Sequence, residues 1–369
     1  MAAAQQSDQP EPIRKLKPML DGVEPIANGE RAARVEKARR LMRVHKMSAI
    51  YLESGASMYY FTGKREPGQA WILPARGEAV WTPAEAAKAA QSLRDLGIAT
   101  GTVGMEELVR FGTYDGLRRE APALEAVSAT PVTAGCRMIK SAAEIALLQR
   151  ANDITIEAYK AALATLREGM TQRELSANIS AAFRALGVGG AAMAIFGKYT
   201  AFPHGSVQPQ QLREGDMVLI DDGCSVEGYQ SDITRTTVFG KPTQRQREVW
   251  DLERRAQDAA LAAARPGTTC ESVDAAARKV ITGAGFGPGY KTPGLPHRTG
   301  HGIGLDGHEW TYLVKGNTTK IEPGMCFSDE PTIAIYGEFG VRLEDCMYIT
   351  EKGARMFTKQ SPAIDQPFG

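Results

Sequence analysis

Cysteine is scarce in this 369-residue chain. Cys136, Cys224, Cys270, Cys326 and Cys346 are scattered, odd in number and never form CxxC. Neither a disulfide framework nor a thiolate zinc site is expected, and reduced thiols filling a core are the reading. No apolar run reaches the roughly 18 residues of a transmembrane helix. The opening MAAAQQSDQPEPIRKLKPM has no apolar centre and does not read as a secretory signal. A cytoplasmic enzyme is expected, exported only if a leader once preceded it. Charge of one sign is lacking too, since 44 basic and 43 acidic residues leave a net +1. The basic tract RAARVEKARR reads as a solvated helix face. Neither nucleic acid nor a membrane is therefore expected as a partner.

An ordinary globular composition is present instead, 43% hydrophobic and 24% charged, at a length that favours two domains. Residues 1–30 are polar and Pro-rich and read as a surface arm. A helix is expected from Glu30 to His45. MSAIYLES, SMYYFTG, AWILP and EAVW read as strands, AEAAKAAQSLRDLG as a helix and TGTVGM as another strand. This alternation predicts an α/β domain over 31–136. Ser141 with Glu144 forms a capping box, opening a helix expected to run to about Glu168 before Gly169. Thr171 with Glu174 opens a second helix, ending at Gly187.

The same unit returns 98 residues later, where Gly267, Thr269 and Gly285 match Gly169, Thr171 and Gly187. EGDMVLID likewise resembles PGMCFSDE, setting Asp221 over Glu330, and Asp232 falls over Glu344 at a similar offset. Residues 137–369 thus read as one domain of two related halves, each giving a strand pair with one carboxylate per strand.

Histidine is as rare as cysteine, yet four of five lie here: His204, His297, His301 and His308. Asp221, Asp232, His301, Glu330 and Glu344 form an oxygen-rich set with one imidazole. Such a set suits a pair of borderline-hard divalent ions, the equipment of amide hydrolysis. The strands on either side of Glu227–Gly228 bring Asp221 and Asp232 onto one face if the turn or a bulge adjusts the register. Glu330 and Glu344 flank a second turn, YGEFG. Four carboxylates so close repel one another unless cations lie between them. Each residue alone has a plainer reading, as turn former, solvated carboxylate or structural histidine; together those readings must all hold at once.

LIDDG, GYQSDITRT, HRTGHGIGLDGHE, SDEP and GVRLED, in this order, resemble the pita-bread metallopeptidases. The closest group is the proline-specific one, prolidase (Xaa-Pro dipeptidase) and aminopeptidase P. The resemblance implies an α/β creatinase-like N-terminal domain followed by an α+β pita-bread catalytic domain with internal pseudo-twofold symmetry. It implies Asp221 on one metal ion, His301 and Glu330 on the other, and Asp232 and Glu344 shared. The ions implied are Mn2+, with Co2+ or Zn2+ as substitutes, and the assembly implied is a homodimer. His204, His297, His308 and Arg342 correspond to substrate- or proton-handling groups, with Glu330 as proton acceptor and His297 and Trp310 as walls for the proline ring. The substrate expected is a small proline-containing peptide, most simply an Xaa-Pro dipeptide. The alternatives are an aminopeptidase P acting on longer peptides, a creatinase-like C–N hydrolase and a non-catalytic binding scaffold.

Two positions depart from the commoner pattern. Ala334 stands where many relatives carry tyrosine, and Tyr312 where some prolidases carry the arginine that holds the substrate carboxylate. Arg298, Arg342, Lys64 and Arg65 are the cations left to replace it, and Arg235 reads as a partner for carboxylates.

Overall fold

A computed structural model describes residues 9–368. They divide into two compact units, Pro25–Ile139 and the remainder, which joins the described residues up to Glu24 with those from Lys140 onward. The expected divisions at 30/31 and 136/137 therefore move to 24/25 and 139/140. The reason is packing. Residues 9–24 are not a loose arm: Ile13, in the short helix Glu11–Arg14, is fully buried, and Met19 N–H donates to Leu186 O at 3.0 Å. Arg150 donates to the Met19 and Asp21 carbonyls at 2.9 and 3.2 Å. The helix expected from Glu30 already begins at Asn28 and runs to Val44.

The Pro25–Ile139 unit is built on a five-stranded sheet. Its strands are β1 (Met47–Glu53), β2 (Gln69–Pro74), β3 (Val80–Pro83), β4 (Gly101–Met105) and β5 (Leu124–Ser128), in the order β3-β2-β1-β4-β5. β1, β4 and β5 are parallel while β2 and β3 pair antiparallel, the mixed sheet that the alternation of elements predicts. One face packs Tyr51, Ile72 and Val103 against Leu93 and Leu117 from the covering helices. SMYYFTG is not a strand. It lies in the helix Ala56–Thr62, closed by Gly63. Ser57, Met58, Tyr60 and Phe61 are buried and Tyr59 and Thr62 less so, a helical rather than an alternating pattern.

The other unit repeats itself. Its first half holds helices Ala142–Leu163 and Gln172–Ala185 and strands β6 (Gly190–Phe196), β7 (Met217–Val226), β8 (Tyr229–Gln230) and β9 (Ile233–Val238). The second half holds helices Gln244–Ala263 and Cys270–Gly283 and strands β10 (Gly300–Gly302), β11 (Glu309–Leu313) and β12 (Cys326–Asp329). It ends with β13 (Thr332–Ile335), β14 (Phe339–Arg342), β15 (Asp345–Thr350) and β16 (Gly353–Met356). Equivalent hydrogen bonds tie each half. Gly169 N–H reaches Leu212 O and Gly267 N–H reaches Ile321 O, both at 2.8 Å, while Thr171 bridges Gln211 and Thr269 bridges Lys320. Capping boxes open the leading helix of each half, at Ser141–Glu144 and Thr243–Gln246.

The first of these helices stops at Leu163, short of the expected Glu168. Beyond it the chain makes tight turns, Thr165 N–H to Ala162 O and Leu166 N–H to Leu163 O, before Gly169 turns to the strand segment. All five cysteines are free and buried. Among the described residues no helix is long and apolar enough to cross a membrane.

Candidate metal centre

Asp221 lies within β7 and Asp232 just ahead of β9. The hairpin turns at Glu227 and Gly228, with φ of 49° and 83°, a two-residue turn of the hand that suits strand twist. It fixes the register, pairing Asp221 with Thr234 and Ser225 with Gln230. Asp232 then stands opposite Gly223, so the two carboxylates share a face diagonally and no bulge is needed. Gly223 has no room for a side chain: a Cβ there would lie 2.3 Å from Ser231 O. In the second hairpin Asp329 pairs with Asp345 and Thr332 with Arg342, so Glu330 faces Glu344 directly.

His301, on β10, is buried between them. Its N–H donates to Ser328 Oγ at 3.0 Å, and Gly300 beside it lets β10 approach, since a Cβ there would meet Ser328 O at 2.2 Å. Nδ1 lies 3.1 Å from Gly302 O and must donate to it, leaving Nε2 as the free lone pair. Nε2 points at Glu330 Oε1 (3.4 Å), Asp232 Oδ2 (3.6 Å) and Glu344 Oε1 (3.8 Å). Three overlapping groups have donor atoms within 4.8 Å of one another: Asp221–Asp232–Glu344, His301–Glu330–Glu344 and Asp232–His301–His308. Asp232 and Glu344 each belong to two of them.

These residues line a cavity of about 330 Å³ together with His204, His297, Arg298, His308 and Arg342. Both ring nitrogens of His297 are engaged, Nδ1 with Arg298 O at 2.7 Å and Nε2 with Thr332 Oγ1 at 2.9 Å, which suits a wall. His308 accepts from Arg298 Nη2 at 2.9 Å through Nδ1, so its proton sits on Nε2. Every nitrogen of the Arg342 guanidinium is committed, to Asp221 Oδ2, Thr234 Oγ1 and Pro203 O. Trp310 is 41% exposed and is not among the cavity residues, so the wall expected of it is not there. Arg235 serves Asp345 (2.6 Å) and the Glu344 carbonyl (2.9 Å) rather than the clustered carboxylates. Ala334 is fully buried, its backbone paired with Gly294.

Several contributing residues escape the sequence reading. Thr234 Oγ1 lies 2.5 Å from Asp221 Oδ1 and 2.7 Å from Glu344 Oε2, joining carboxylates of the two halves. Asp274 and Arg278, one turn apart on helix Cys270–Gly283, hold the segment that bears His297 and Arg298. Asp274 Oδ1 accepts from Thr299, and Arg278 donates to the Leu295 and His297 carbonyls. Their i,i+4 spacing is the only trace in the sequence. Buried Lys140 meets Glu309 at 2.5 Å, anchoring the residue that follows His308.

The electrostatics of the protein alone are unbalanced. Burial first, then the neighbouring carboxylates, push Asp232 and Glu344 well above the ordinary carboxylate range. Burial lifts Glu330 to about 7 in spite of Arg342. Burial holds His301 neutral, with His308 adding to the effect, and it lowers His297 to about 3. Arg342 is driven up by Asp221 and the other three carboxylates against the opposing effect of burial. Glu344 Oε1 is buried without a hydrogen-bond partner. An oxygen-rich set with one neutral imidazole, an orphaned carboxylate oxygen and excess negative charge fits divalent cations.

A pH dependence follows from these shifts. Asp232, Glu330 and Glu344 favour the folded state when protonated. Their contribution is complete below the unfolded range, about pH 4, and is lost as pH rises through the folded values, about 7 for Glu330. The histidines act oppositely, contributing above their unfolded range and losing that contribution only as pH falls through their depressed folded values. They are neutral with or without metal, so the stabilisation by added ions isolates the carboxylates. Thermal stabilisation by Mn2+ is expected to grow between about pH 5 and about pH 8, as metal replaces fewer protons. Scanning fluorimetry with and without Mn2+ measures it, and a pH-independent increment would contradict the assignment.

Comparison with known proteins adds to this geometry. Residues 146–351 match the model of metallopeptidase family M24, and residues 34–93 that of the creatinase/prolidase N-terminal domain. An Xaa-Pro dipeptidase of Pyrococcus furiosus is 30% identical over 344 residues, 88% of this chain and 97% of that one. Among solved structures, a prolidase from Thermococcus sibiricus matches with TM-score 0.83 at 25% identity, over 91% of this chain and 98% of that one. A dipeptidase from Pyrococcus horikoshii OT3 matches with TM-score 0.82 at 29% identity, over 88% and 98%.

Proposed function

The chain belongs to metallopeptidase family M24 and has a creatinase-like N-terminal domain before a pita-bread catalytic domain, and on that premise we propose that it hydrolyses the bond preceding proline in Xaa-Pro dipeptides. One observation carries the reading: Asp221, Asp232, His301, Glu330 and Glu344 converge on a single small cavity. In this proposal the five hold two divalent ions, Mn2+ first and Co2+ or Zn2+ as substitutes. Asp221 serves one ion, His301 and Glu330 the other, and Asp232 and Glu344 both. These two and His301 each belong to two donor groups, but only the carboxylates have two oxygens to share, since His301 keeps a single free nitrogen.

The ions, when bound, supply Lewis acidity, lowering the pKa of water and polarising the scissile carbonyl. The chain does the rest. Glu330, facing the cavity, takes a proton from the attacking water and returns it to the leaving imino nitrogen. His308, its proton on Nε2, and His204 are the donors toward the developing oxyanion. Arg342 and Thr234 fix Asp221 and Glu344 in place. An Xaa-Pro bond has no N–H, so recognition falls to the shape of the ring, and His297 forms that wall. A cytoplasmic homodimer completes the proposal. The buried free thiols suit a reducing compartment, and light scattering checks the dimer.

The test is a peptide panel with added Mn2+. Ala-Pro is expected to be cleaved at least about tenfold faster than Ala-Pro-Ala and longer peptides, a discrimination of some 1.4 kcal/mol. Equal cleavage of long peptides would make the chain an aminopeptidase P. Activity surviving full metal removal would favour a creatinase-like hydrolase, and absence of both metal and turnover a binding scaffold.

A further inference from the structure

One carboxylate on the cavity wall has no part in the metal set. Asp222, which follows Asp221 on β7, lines the cavity but belongs to none of the three donor groups. Its side chain is exposed and forms no ion pair among the described residues. It accepts one hydrogen bond there, from the N–H of Gly223 at 3.2 Å. The neighbouring charges are engaged. In the two-ion reading the four ligand carboxylates offset the ions, and Arg342 is held by Asp221. Asp222 is left as a negative group facing the cavity with no cation paired to it.

Its backbone is unusual. Strict alternation along β7 would turn Asp222 away from the face that carries Asp221. Instead its φ is 132°, a costly region for any residue with a side chain. The surroundings hold it there. Asp222 pairs with Ala192 on one side and Ile233 on the other, and buried Tyr159 donates to its carbonyl at 2.9 Å. Glycine would relieve the strain, yet an acid stands at the position. A carboxylate so placed selects a positive partner. A dipeptide carries positive charge on its α-nitrogen or on the side chain before proline. The α-nitrogen is two bonds from the scissile carbonyl carbon, so it stays with the reacting centre among the five ligands. Asp222 lies outside that set, at the reach of a longer group.

We propose that Asp222 pairs with a basic side chain on the residue before proline, making Lys-Pro and Arg-Pro favoured substrates. The proposal rests on the peptidase reading.

Wild type, Asp222→Asn and Asp222→Glu, loaded with Mn2+, are compared on Lys-Pro and norleucyl-proline, which keeps the carbon chain of lysine without its charge. Asn preserves shape and tolerates positive φ. Wild type is expected to prefer Lys-Pro by about tenfold or more in kcat/KM, the range of one charge-assisted hydrogen bond. The preference should shrink as NaCl rises from about 0.05 M to about 0.5 M. Asp222→Asn removes it chiefly through KM, and Asp222→Glu keeps part of it. A wild type without the preference overturns the proposal. So does a ratio unchanged in Asp222→Asn, and equal losses on both peptides would then assign the carboxylate to the α-ammonium they share. If that variant does not fold, Asp222→Gly, which suits the backbone, takes its place under the same criteria. If wild type cleaves no Xaa-Pro peptide, the peptidase reading fails instead. Calorimetry of Lys-Pro against norleucyl-proline then judges Asp222, with equal affinities counting against it.

Discussion

Asp232→Asn is expected to lower kcat for Ala-Pro by at least about a hundredfold, since even residues that only support metal ligands are worth 10–100-fold. The substitution keeps size and shape and removes one charge. Asp232 belongs to two of the three donor groups, so a shared position is lost rather than a peripheral one. KM should move little, because the substrate contacts come from His204, His297 and His308 on the cavity wall. Metal content should fall from two ions per chain to one or fewer, measured by elemental analysis after dialysis. The fold should persist, since Asn removes a carboxylate that is costly to bury and with it part of the repulsion that, after burial, raises Glu344. A variant with full turnover would remove Asp232 from the chemistry.

Arg235→Met is expected to cost about 3–5 kcal/mol of stability, the usual price of breaking a buried ion pair from one side. Arg235 is fully buried, and its Nη2 holds Asp345 Oδ1 at 2.6 Å and the Lys359 carbonyl at 3.0 Å. Its Nη1 holds the carbonyls of Thr234 and Glu344. Removal leaves Asp345 with Gln257 and Thr358 as neutral partners only. Adding Asp345→Leu should recover part of the loss, because the uncompensated charge goes with it. Urea unfolding of the three proteins decides it. A single variant as stable as wild type would mean that Arg235 is not the tie between the two carboxylate-bearing hairpins. Metal affinity should weaken in the single variant too, as the Glu344 backbone loses its anchor.

What the sequence made legible and what it hid have physical reasons. The carboxylate pairs were readable because strand parity is set locally. Two residues at Glu227–Gly228 put Asp221 and Asp232 on one face, and the YGEFG turn sets Glu330 opposite Glu344. The repeat was readable because glycines and caps recur where each half must turn. SMYYFTG was misread because a short apolar run has no decisive period, and burial around Met58 and Phe61 chose the helix. The arm became a docked segment through one side chain, Ile13, whose partner surface lies more than a hundred residues away. Thr234, Asp274 and Lys140 left little sign because each acts on a distant partner that no local pattern announces. Arg342 and Arg298 looked equivalent as cations; only their hydrogen bonds separate them.

Anomalous diffraction from crystals soaked in Mn2+, recorded at the manganese edge, bears most directly on the metal centre. Two peaks are predicted, one beside Asp221 and one beside His301 and Glu330, both reached by Asp232 and Glu344. A map without density there, at saturating Mn2+, would contradict the account.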